Sequence, residues 1–128
     1  MENRFAYTNP PADDFIFVTE GKNEIKLYLN EVSHCSAERK GTWFYKVWLD
    51  KTKPQQRYFM TRNIGFYFAR LFRAGFLRHH DSYMSNTLHF VNIDTDNKYT
   101  VELTGGIFVR TSLGRKCILI DYLNLRKG

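Results

Sequence analysis

The chain has 128 residues, 43% hydrophobic and 25% charged, a make-up that fits one folded domain and excludes a disordered polymer. Its formal net charge is +6 and 16% of its residues are aromatic, more rings than a small core usually needs. No apolar run approaches the ~18 residues of a membrane span and no apolar leader follows Met1, so a cytoplasmic protein without a membrane partner is expected. The two cysteines, Cys35 and Cys117, fit neither a zinc spacing nor a disulfide framework. They are read as reduced thiols, and neither a metal nor a cofactor is expected.

In chain order, residues 1–14 read as a flexible arm, because Pro10-Pro11 and Asp13-Asp14 resist regular structure. Residues 15–128 form a single domain. Phe15–Thr19 reads as a strand, Glu20–Asn23 as a turn, and Glu24–Asn30 as an alternating strand with Ile25, Leu27 and Leu29 on one face. Ser33–Lys40 is polar and reads as a loop. Thr42–Leu49 alternates again. Trp43, Tyr45, Val47 and Leu49 form an apolar face expected in the core, and Thr42, Phe44, Lys46 and Trp48 form a mixed one. Gln56–Met60 is a fourth strand.

Residues 61–74 carry the main helix. Thr61 is the expected N-cap, Ile64, Phe68, Leu71 and Phe72 make an apolar stripe, and Gly75 falls where a terminating glycine belongs. Strands follow over Thr87–Ile93, Tyr99–Leu103 and Ile107–Arg110. The apolar run Lys116–Tyr122 reads as a central strand. This order predicts an α+β domain with a mainly antiparallel sheet of about seven to eight short strands and one main helix. An OB-like barrel with an inserted helix is the alternative.

Function is signalled by charge. Between Lys51 and His80 stand Lys51, Lys53, Arg57, Arg62, Arg70, Arg73 and Arg78 with no acidic residue, so the rest of the chain is close to neutral. Helical spacing puts Arg62, Phe66, Arg70 and Arg73 opposite the apolar stripe, a basic face with a ring at its centre. Guanidinium groups spaced along a rigid element suit phosphates. A second arrangement is a stacking platform of Lys26, Tyr28, Phe44, Lys46 and Trp48, which would hold bases and backbone of a single strand. A third basic group, Arg110, Arg115 and Lys116, flanks the Ser112–Gly114 turn.

These patterns predict a small non-enzymatic nucleic-acid-binding protein, with single strands favoured. The alternative is a protein-interaction module, an inhibitor or adaptor such as a phage or plasmid would encode, docking the same patch on an acidic protein surface. A homodimer is compatible with the exposed rings. A small nuclease or RNase using His79 and His80 is the third reading, and His34-Cys35 with Glu38 is a weak nucleophile pattern. No catalytic residue is assigned.

Overall fold

The computed structural model describes residues 13–127. Two strands, β1 (Phe15–Glu20) and β2 (Asn23–Tyr28), pair as a hairpin turned at Gly21. They are followed by β3 (Val32–Glu38), β4 (Gly41–Lys46), β5 (Arg57–Met60), α1 (Ile64–Arg73), β6 (Phe76–His80) and β7 (Tyr83–Asn86). The chain closes with β8 (Phe90–Asp94), β9 (Thr100–Leu103), β10 (Ile107–Val109) and α2 (Lys116–Lys127). Among the described residues the strands form three antiparallel sheets: β1-β2, β5-β4-β3-β7-β6, and β10-β9-β8. The domain is α+β as expected. The sheets remain separate and do not close into an OB-like barrel.

Four elements differ from the sequence expectation. Ser33–Lys40 is not a loop, because β3 is the central strand of the largest sheet. Its alternation is disguised, since Cys35 faces the core while His34 and Ser36 face outward although both are buried. Phe76–His80 and Tyr83–Asn86 are two further strands that polar residues obscure. Lys116–Tyr122 is the first part of a helix. Its buried Leu119 and Tyr122, with half-buried Ile118 and Leu123 beside them, recur at helical spacing. Short apolar runs do not distinguish a buried strand from a helix.

α1 begins at Asn63, whose side-chain oxygen accepts from the Phe66 amide at 2.9 Å, in place of the expected Thr61 cap. It ends at Ala74, and Gly75 takes the left-handed conformation (φ 99°) that lets the chain reverse into β6. Two apolar clusters result. One holds Val18, Leu27, Cys35, Phe44, Leu71, Phe76 and Met84, joining the β1-β2 hairpin, the large sheet and α1. The other holds Leu77, Val101, Leu103, Val109, Leu119 and Tyr122, joining β6, the three-stranded sheet and α2. Fully buried Asn86 stitches the layers by donating to the carbonyls of Leu29 (3.1 Å) and Val32 (2.9 Å) while accepting from the Leu88 amide.

Strand pairing fixes two ends of the large sheet. The β3-β4 turn, the β6-β7 turn and Arg62 share the upper end. There the Ala37 amide donates to Ser82 O at 2.7 Å and Thr42 Oγ1 donates to Arg62 O at 2.8 Å. The segment joining β4 to β5 and the α1-β6 junction lie at the lower end. Gly41 holds the upper end closed. A Cβ placed there would lie 2.0 Å from Met60 O and 2.7 Å from the Phe59 ring. Gly41→Ala is therefore expected to destabilise the fold by about 1–3 kcal/mol in urea unfolding. A loss under about 0.5 kcal/mol would show that β5 yields freely.

Candidate nucleic-acid interface

The structure divides the basic run that the sequence brings together. α1 has 10 residues and so extends about 15 Å from the upper toward the lower end. Arg62 stands before its first turn, its guanidinium 4.6 Å from the Phe66 ring centre, and Arg73 stands at its far end. Phe66 is exposed. Arg70, between them, is engaged. It donates to both carboxylate oxygens of Asp14 and, at 3.0 Å, to the Phe15 carbonyl. The Asp14 hydrogen bonds raise the Arg70 pKa further. Asp14 also accepts the Leu29 amide on its carbonyl, so this last residue of the expected arm is anchored, while residues 1–12 lie outside the described residues.

Lys51, Lys53 and Arg57 belong to the lower end. Lys51 Nζ sits 3.6 Å from the Trp48 ring centre and donates to Gly105 O. Trp48 Nε1 donates to Lys53 O at 2.8 Å, which folds the segment onto itself. The Arg57 guanidinium carbon lies 3.9 Å from the Trp43 ring centre. Lys53 and Arg73 are exposed.

The expected stacking platform is not assembled. Phe44 is fully buried in the first cluster, with its ring edge against Tyr67. Lys26 and Tyr28 sit on the separate β1-β2 hairpin around Phe15, and Lys46 pairs with Glu31 at 3.4 Å. The two faces of β4 are the reverse of the expectation. Phe44 and Thr42 point inward, and Trp43 and Tyr45 point outward and are half-buried. The cause is α1 and the hairpin, which cover the face that looked mixed and leave the more apolar one partly open.

The best-built charged feature is the upper end. Asp81, in the β6-β7 turn, accepts from Arg115 Nε at 2.7 Å on its carboxylate and from Arg78 Nη2 at 2.7 Å on its carbonyl. The bond from Arg115 holds the Asp81 carboxyl below the usual range. Burial, with Arg115 close by, lowers the Arg78 pKa, and Arg78 Nε is a buried donor with no hydrogen-bond partner among the described residues. The segment after β10 is tied to this turn, since the Ser112 amide donates to His79 O (3.0 Å) and Ser112 Oγ accepts the Asp81 amide (2.9 Å). Exposed Arg39 and Lys40 occupy the neighbouring β3-β4 turn. The sequence pattern puts these two in a polar loop. The only signal for them was the Arg39-Lys40-Gly41 turn between two alternating segments.

His79 and His80 make internal hydrogen bonds. Thr111 Oγ1 donates to Tyr99 O at 2.6 Å, so it accepts from His79 Nδ1 at 2.9 Å. His79 Nε2 in turn accepts from Ser85 Oγ at 2.8 Å. His80 Nδ1 accepts the Ser82 amide, and His34 and Cys35 point to opposite sides of β3. Burial raises the Cys35 thiol pKa well above its ordinary value. Among the described residues no group of three or more His, Cys, Asp or Glu could hold a metal ion.

No family model matches the chain, and no curated protein matches it. Among solved structures it is similar to the LytTr DNA-binding domain of a Bacillus cereus protein assigned as a methyl-accepting/DNA response regulator. The TM-score is 0.69 at 17% identity, over 85% of this chain and 95% of that one. The chain shares its fold with a LytTr domain. The likeness is one of architecture and takes in nearly all of that domain. No described helix is long and apolar enough to cross a membrane.

Proposed function

We propose that this chain is a non-enzymatic DNA-binding domain that grips the phosphate backbone with the upper end of its large sheet. The observation that carries the reading is the cluster around Asp81. Two guanidinium groups are held close together there around the single Asp81 carboxylate, an arrangement that an arriving phosphate stabilises. Arg39, Lys40 and Arg62 extend the positive end. The β3-β4 and β6-β7 turns come from four consecutive strands and so lie about 10 Å apart. Phosphates flank a major groove about 12 Å wide, so the two turns suit its two edges. The shared fold with a domain described as DNA-binding supports the same reading.

The test is duplex binding measured across salt concentration. With about five cations engaged, log K should fall with log salt at a slope near −4. An Arg39→Ala, Lys40→Ala double variant should lower that slope by about 2, while Arg73→Ala, at the lower end, leaves it unchanged. Affinity indifferent to salt, or a double variant that binds like the parent, would overturn the reading.

A further inference from the structure

The outer face of β3, β4 and β5 carries a strip of rings that the charge at the upper end does not account for. Phe59 packs against Trp43 with centroids 5.0 Å apart. His34 stacks on Tyr45 at 4.4 Å with the planes only 5° apart. The strip runs into a cavity of about 420 Å3, within the range of small-ligand sites. His34, Ser36 and Tyr45 line it from the large sheet, His80 from β6, and Phe108 and Arg110 from the opposite side.

Two features of the cavity suit an occupant. His34 and Ser36 are each only 7% exposed. His34 Nδ1 is engaged with Ser33 Oγ at 3.1 Å, but His34 Nε2 and Ser36 Oγ have no hydrogen-bond partner among the described residues. Neither atom is sealed from solvent, so both offer hydrogen-bonding capacity to whatever fills the space. Phe108 is 64% exposed although it stands on a strand, and its neighbours Ile107 and Val109 are the ones packed in the second cluster. A large ring left out in this way provides a flat wall. Burial holds His34 near pKa 4, so its ring is neutral and free to donate or accept at neutral pH.

We infer that this cavity receives an unstacked base of single-stranded nucleic acid. Flat walls suit any base face, two hydrogen-bonding atoms suit a base edge, and Arg110 in the cavity lining with Arg57 beside Trp43 and Tyr45 suit the flanking phosphates. The inference rests on the proposed affinity for nucleic acid but places a different strand form on a different surface.

Octanucleotides of thymidine and of adenosine are the probes, with the matching monophosphates and a duplex for comparison. The octamers should shift the amide resonances of Ser36 and Phe108. Phe108→Ala, at an exposed position, should weaken octamer binding roughly tenfold and leave duplex affinity unchanged. Ser36→Ala should alter the preference between the two octamers. Parental octamer affinity in Phe108→Ala overturns the inference, and so do monophosphates that bind as tightly as octamers. Octamer binding that persists in the Arg39→Ala, Lys40→Ala variant, sensitive to Phe108→Ala, upholds the cavity even if duplex binding proves absent.

Discussion

Replacing Phe44 by alanine is expected to cost about 3–5 kcal/mol of folding stability, enough to unfold a domain of ordinary stability. Phe44 is fully buried and reaches α1 through Tyr67, so its removal opens a void under the helix that neighbouring side chains fill only in part. The adjacent Trp43 provides the contrast. It is the larger side chain, but it faces outward, half-buried, under Arg57. Trp43→Ala should therefore cost roughly half as much or less, since only part of its surface leaves water on folding. Chemical denaturation of the two variants decides which face of β4 is core. Equal losses, or a greater loss for Trp43, would contradict the arrangement described here.

Acid should begin to destabilise this protein at a pH above the carboxylate range. Burial lowers both His34 and His79 from 6.5 to about 4. The unfolded chain therefore binds more protons than the folded one between those values, and stability rises with pH across the window. It is fully present above about pH 6.5 and is lost as pH falls toward 4, by on the order of 3 kcal/mol for each ring. For His79 the cost has a structural form. Protonating Nε2 ends its acceptance from Ser85 Oγ. The expected result is a urea midpoint that drops steadily from pH 7 to pH 4, with a shallower drop in His79→Gln. A midpoint flat across that interval would show that neither ring is buried in its neutral form.

Much of the fold was legible, and the misreadings share a cause. Ile25 and Leu27 alternate because one side of their hairpin meets the core, and the α1 stripe holds for Ile64, Leu71 and Phe72, whereas Phe68 is exposed and Tyr67 packs against the core instead. Those segments were placed to within a few residues. β3 was lost because its outward positions, His34 and Ser36, are polar yet buried beside a cavity, so the usual contrast between apolar and polar faces vanishes. β4 was found but reversed, because both of its faces carry large rings and composition alone does not say which one a helix will cover. The charge run misled for a geometric reason. Residues adjacent in sequence along β5, α1 and β6 traverse the sheet from end to end, so Arg57 and Arg62 part company within one short strand. The upper end is assembled from Arg39, Arg78, Asp81 and Arg115, which lie far apart along the chain. Only Arg78 of these stood in the conspicuous segment.

The two thiols carry a practical consequence. Cys35 is sealed in the core with its ionisation suppressed, whereas Cys117 is exposed at the second residue of α2, close to the segment that ties the helix to the β6-β7 turn. Thiol-reactive dyes require an accessible thiolate, so the unaltered sequence should accept one label at one place. The native protein thereby supplies its own attachment point for a fluorophore beside the surface proposed to meet DNA, and no cysteine need be added or removed to watch that encounter.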